Sequence, residues 1–185
     1  MKGDIKLRST KEVVERIIAL IGVFQAATGR DKEEVTRIFK KNHIWSFLTP
    51  VEQNYLLMPN NNTQYLSMQL SWRSEAVYIL LWALKKLEFN QIPSDEHNLK
   101  QISYLLRDDA FYKKFPLKDI QLRDSEDILN ILDKIYRIHW KIRDAQLNDQ
   151  PINAEYNPSI IYEWHYSLNW LTDVNVEWDD ITTDT

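Results

Sequence analysis

A chain of 185 residues with 44% apolar, 12% aromatic and 27% charged side chains, three glycines and six prolines has the length and composition of one ordinary globular domain, which excludes collagen-like and disordered chains. It holds no cysteine, so disulfides, thiolate metal sites and a cysteine nucleophile are excluded. The net charge of −4 is unevenly spread: residues 1–41 carry ten Lys/Arg and six Asp/Glu, whereas residues 144–185 carry nine Asp/Glu and no Lys or Arg.

In chain order, Ser9-x-x-Glu12 is a capping-box pattern ahead of Val13, Val14, Ile17, Ile18, Ile21 and Phe24, a helical stripe that Thr28-Gly29 closes. Asp31-x-x-Glu34 repeats the device before Val35, Ile38 and Phe39. Thr49-Pro50-Val51-Glu52 opens a third helix with proline at its first position. The polar stretch Met58–Thr63 interrupts the pattern. It sets off a possible N-terminal subdomain, 1–58, within a single domain spanning 1–185.

The spacing then predicts one long helix from Tyr65 to Leu87, apolar almost all round between Ala76 and Leu84 and therefore central. Ser94-Asp95 caps a shorter helix carrying Leu99, Ile102, Leu105 and Leu106. Phe111, Tyr112, Phe115 and Pro116 read as irregular chain. Ser125–Leu147 is the clearest amphipathic helix, with Ile128, Ile131, Leu132, Ile135, Ile138 and Ile142 on one face. Asn157-Pro158 opens a last helix to Thr172, apolar on two sides. The tail from Asp173 has no helical period, yet Trp178 and Ile181 predict that it docks. The expected fold is all-α, a compact body of about seven helices with an ordered, irregular C-terminal tail.

Several charges fall on faces that should be buried. At about 100° per residue, His139 and Arg143 lie in the apolar sector of their helix, Arg73 lies beside Val77 and Leu80, and Glu75 beside Ile79 and Trp82. Glu163 and His165 sit on a helix without a broad polar face. A buried unpaired ion costs several kcal/mol or more, so these groups need partners. One reading is an internal ion-pair network in which Arg73 or Arg143 holds Glu75, Glu163, Asp179, Asp180 or Asp184 and so fastens the tail. A second is a polar pocket for a small anion, since a guanidinium fork suits carboxylate or phosphate. A third is a catalytic site with His139 or His165 as base and Glu75 or Glu163 as orienting acid.

Other chemistries lack their residues. The four histidines, His43 and His97 among them, form no His-Glu-x-x-His or comparable ligand spacing, so neither a metal nor another cofactor is expected. Gly3, Gly22 and Gly29 make no phosphate-cradling loop. The acidic C-terminal quarter repels phosphate backbones, which argues against nucleic acid. No run approaches the roughly 20 apolar residues of a membrane span, and Met1–Lys6 leads into no signal-like apolar segment, so no membrane association is expected and a cytoplasmic location is.

Three stretches carry a family likeness: Arg73-Ser74-Glu75-Ala76 leading into Leu80-Leu81-Trp82-Ala83-Leu84, the run from Ile135 through His139-Trp140-Lys141-Ile142-Arg143 to Ala145, and His165–Leu171 followed by the ending Trp178-Asp179-Asp180-Ile181-Thr182-Thr183-Asp184-Thr185. Over about residues 65–185 the chain resembles a bacterial family known as domain of unknown function 4272; residues 1–62 are similar to it only through Arg8-Ser9 and the helix that follows. Where that family often has arginine before the histidine of the last helix, this chain has Trp164-His165. The resemblance implies a helical bacterial cytoplasmic protein and supplies no activity. With no nucleophile evident, the expected role is a non-catalytic interaction or regulatory module, of accessory or immunity type, with a protein partner. The alternative is a protein or enzyme that binds a small anion through Arg73, Glu75, His139, Arg143 and His165. A sealed network at those residues favours the first, and a cleft open to solvent favours the second.

Overall fold

A computed structural model of the chain describes residues 6–59, 63–95, 99–115 and 119–185. His97, Pro116 and the extreme amino terminus, on which the sequence offered readings, lie outside them. Among the described residues there are eight α-helices and no strand: α1 (Thr10–Ala27), α2 (Lys32–Lys41), α3 (Pro50–Leu57), α4 (Gln64–Leu70), α5 (Arg73–Ala83), α6 (Leu99–Arg107), α7 (Ser125–Leu147) and α8 (Pro158–Thr172).

The local signals act as expected at several ends. Ser9 and Glu12 form a reciprocal capping box at α1, as do Thr49 and Glu52 at α3. At α2 the Asp31 side chain accepts from Glu33 N instead, because Glu34 is drawn to Arg30 at 3.0 Å. Gly29, at φ +108°, turns the chain out of α1 in a conformation L side chains avoid. Asn157 caps α8 with Pro158 in its first turn.

The single helix expected over Tyr65–Leu87 is two. Ser71 and Trp72 form a tight turn in which Trp72 N donates to Gln69 O and Glu75 N to Trp72 O, three-residue bonds that restart the helix on a new axis as α5. Lys85, at φ +56°, then stops α5 four residues before Leu87, with Lys86 N closing back on Leu81 O. Arg123 secures that end, donating through Nε to Trp82 O at 2.7 Å and covering the Trp82 ring.

Packing places α5 at the centre. It lies against α1 on one side and α8 on another, and α8 in turn packs against α7. Ala76 to Leu84 are almost wholly buried, as their all-round apolarity demands. Trp164 stacks on Tyr78 at 5.8 Å between α8 and α5. Gly22 lets α1 and α2 approach: a Cβ there would stand 2.3 Å from the Phe39 ring.

The tail is held by three arginines. Arg8 donates through Nε to Trp170 O at 2.8 Å and through Nη2 to Asp173 O, satisfying carbonyls at the end of α8, and Nη2 also donates to Val176 O in the tail. Trp178 opens a 3-10 turn, Trp178–Asp180, and is 3% exposed. The Arg16 and Arg73 guanidiniums stand 4.8 and 5.6 Å from its ring centroid. Asn169 Nδ2 donates to Thr182 O at 2.9 Å, which carries the strap onward along α8.

Candidate functional site

A cleft of about 810 Å³ opens where the start of α5, the second half of α7, the start of α8 and the end of the tail meet. Three of its walls come from helices: Tyr65, Met68 and Gln69 on α4 with Arg73 at the start of α5, His139, Ile142, Arg143 and Gln146 along one side of α7, and Ser159, Tyr162 and Glu163 on α8. Thr183 and Asp184 close the fourth side. Tyr65, Met68, Tyr162 and Arg143 are exposed at its rim, so it is open to solvent.

Arg73 and Glu163 form its floor. Arg73 Nη1 donates to both Glu163 oxygens, at 2.9 and 3.1 Å, while the Arg73 guanidinium also covers the Tyr166 ring. Burial opposes the Arg73 charge, but the adjoining Glu163 carboxylate outweighs it and holds the guanidinium protonated. Burial in turn pushes the Glu163 carboxyl up, partly offset by Arg73. Arg73 Nε is buried without a hydrogen bond.

His139 and His165 meet behind the α7 wall, Nδ1 to Nδ1 at 2.8 Å, with their rings perpendicular. They are 5% and 2% exposed. Burial pulls both below the ordinary histidine range, His165 to about 4 with the neighbouring His139 adding to the effect, and Arg143 contributing at His139. Both rings are therefore neutral at pH 7. His139 lines the cleft with Nδ1 already engaged.

Arg143 departs from the inward orientation expected of it. It is exposed, and Nη1 donates to Gln146 Oε1 at 3.0 Å, one turn along the helix. A residue at the edge of the apolar sector can direct a long side chain outward along the helix surface, and Arg143 does so. No described ion pair uses it. Tyr166 faces the tail: its hydroxyl donates to Trp178 O, and burial raises it to about 12.

The structure thus brings Arg73, His139, Arg143, Glu163 and Asp184 to one cleft, with His165 behind it. Glu75 stands apart. It is wholly buried and accepts from Trp164 Nε1 at 3.3 Å in the core. Neither Asp179 nor Asp180 meets an arginine in a described ion pair. Asp179 is exposed and accepts from Val51 N at 3.2 Å at the start of α3, and Asp180 is exposed beside it. Asp184 accepts from Thr182 Oγ1 at 3.1 Å. Among the described contacts the tail is fastened by Arg8, by Trp178 under Arg16 and Arg73, and by the Asp179 bond to Val51 N, and by no ion pair between its acids and an arginine.

Sequence reasoning missed Tyr65, Gln69, Gln146, Ser159 and Tyr162 as cleft residues. For Gln146 and Ser159 the signal was a spacing of three or four from Arg143 or Glu163 on the same helix. It also missed the buried pair of Arg16 with Glu52, whose side chains are 4% and 3% exposed. Among the described residues no group of three or more His, Asp or Glu could hold a metal ion, and no helix is long and apolar enough to cross a membrane.

A model of the family described as Domain of unknown function (DUF4272) matches residues 1–181, so the match takes in the amino-terminal part and stops at Ile181, four residues before the end of the Trp178–Thr185 stretch. The chain belongs to that family. No curated protein and no solved structure matches it.

Proposed function

We propose that this member of the DUF4272 family binds a small anionic molecule, a carboxylate or phosphate carrying an apolar or aromatic body, in the cleft between α5, α7 and α8. One observation carries the reading: Arg143 stands in an open cleft with a neutral glutamine as its described hydrogen-bond partner and no described ion pair. A guanidinium so placed offers its remaining donors to a carboxylate or phosphate at little desolvation cost. The aromatic and thioether side chains of Tyr65, Tyr162 and Met68 supply apolar surface beside it. Arg73 is already neutralised by Glu163 and serves as floor.

The test is a thermal-shift comparison of small aromatic and aliphatic acids with their uncharged amides, on the native chain and on Arg143→Gln. Binding predicts that acids raise Tm, that the amides do not, and that Arg143→Gln loses the response. Equal responses in the variant overturn it.

A second reading has its own observation. Tyr136, Trp140 and Leu147 are 43%, 50% and 75% exposed on α7, and the first two stand one turn apart. That face suits a non-catalytic interaction module that docks a protein partner through α7. Trp140→Lys abolishing a partner's binding while leaving the acid response intact would favour it.

A further inference from the structure

We propose that His139 and His165 work as one hydrogen-bonding unit that lets His139 Nε2 offer the cleft's ligand either a donor or an acceptor, with His165 as the positioning residue. This rests on the ligand reading above and extends it to the neutral part of the ligand.

The geometry leaves little choice of proton count. Two Nδ1 atoms 2.8 Å apart share one proton, because two protons would collide and none would leave facing lone pairs. The neutral ring with its proton on Nδ1 has a lone pair on Nε2, and the other ring has N–H there. His139 Nε2 therefore accepts when its own Nδ1 donates, and donates when His165 Nδ1 does. Passing between the two states removes one proton from one Nε2 and adds one to the other through solvent. Net charge is unchanged, and both imidazoles stay neutral.

The choice of partner matters. A histidine fixed by a carboxylate or carbonyl on Nδ1 has one tautomer only. Here the partner is a second imidazole, which accepts or donates equally well. The aromatic packing holds the rings in place without fixing a tautomer: Tyr162 meets His139 edge-on at 6.0 Å, and Tyr136 meets His165 at 5.7 Å. The ligand class that follows is a small anion whose carboxylate or phosphate engages Arg143 and whose nearby ring nitrogen, carbonyl, hydroxyl or amine meets His139 Nε2.

Long-range proton–nitrogen spectra of the 15N-labelled full chain test this at pH 7, alone and with two similar probes, nicotinate as acceptor and 3-aminobenzoate as donor. In the free chain the two rings must show opposite tautomers, exchanging or fixed. Nicotinate is expected to drive His139 to Nε2–H and 3-aminobenzoate to drive it to Nδ1–H, with His165 taking the opposite form each time. His165→Gln, whose amide also donates or accepts, should keep the response, whereas His165→Asp, whose carboxylate can only accept, should hold His139 at Nδ1–H with either probe. Two rings of the same tautomer, or an imidazolium, in the free chain overturn the proposal. So do probes that shift the Arg143 side-chain signals and leave the His139 tautomer unmoved. If neither probe shifts Arg143, the ligand reading fails and the adaptive role falls with it, while the free spectrum still decides the pairing.

Discussion

Arg73, at the first position of α5, donates from one nitrogen to both carboxylate oxygens of Glu163 in α8, joining residues 90 apart in sequence. The pair ties the central helix to α8, which lines one side of the cleft. Breaking a buried pair from one side strands the other charge, so Glu163→Gln is expected to cost about 3 kcal/mol in urea unfolding. The double variant Arg73→Met with Glu163→Leu should recover most of that loss, because no charge is left unpaired. A cycle of Arg73→Met and Glu163→Leu, made singly and together, in which the two changes simply add would contradict the coupling.

Gly22 offers a sharper steric test. A methyl at this position would stand 2.3 and 2.5 Å from Phe39 Cε2 and Cζ, inside the α1–α2 contact. Gly22→Ala is therefore expected to destabilise by about 1–3 kcal/mol despite the better helix propensity of alanine. Adding Phe39→Leu should relieve the clash, so the double variant is more stable than the sum of the two single losses allows.

The strap predicts a local effect as well as a global one. Trp178 is clasped by Arg16, Arg73, Tyr166 and Trp170. Trp178→Ala is expected to cost about 3–5 kcal/mol. Amide exchange should speed first over residues 174–182, and the cleft wall at Thr183 and Asp184 should loosen with it. Uniform acceleration across α1 and α5 would instead mean that Trp178 acts only through the common core.

The histidine pair sets a pH dependence. The folded chain holds His165 near 4, whereas an unperturbed histidine takes its proton near 6.5. Between those values the unfolded chain binds more protons than the folded one, so stability falls as pH drops through that window and is fully present above it. The loss for His165 alone amounts to about 3 kcal/mol by pH 4. Urea unfolding from pH 7 to pH 4 should show this slope, and His165→Gln should flatten it. An equal slope in the variant would place the titration elsewhere.

Much of this was legible in the residues. Apolar spacing and capping patterns located α1, α3, α7 and α8, and the all-round apolarity of Ala76–Leu84 gave α5 its central place. The break at Ser71-Trp72 was not legible, since neither residue is a helix breaker and the apolar spacing runs on across it. The wheel turned Glu75 and His139 inward, and both are buried; Arg73, turned inward as well, is only partly so, and the helix without a broad polar face encloses both Glu163 and His165. The wheel misplaced Arg143, because it records where Cβ points and not where the rest of the side chain carries a guanidinium. The tail's aromatic anchor was legible in Trp178. Arg8, which also fastens it, was not, because carbonyl groups at a helix end leave no mark in the sequence.

The most direct test of ligand binding at the cleft is native mass spectrometry of the chain and of Arg143→Gln, each prepared gently from the host cell. The predicted result is an added small-molecule mass on the native chain, released as an anion on activation and absent from Arg143→Gln. A mass retained equally by the variant, or none on either protein, would contradict an anion held by Arg143.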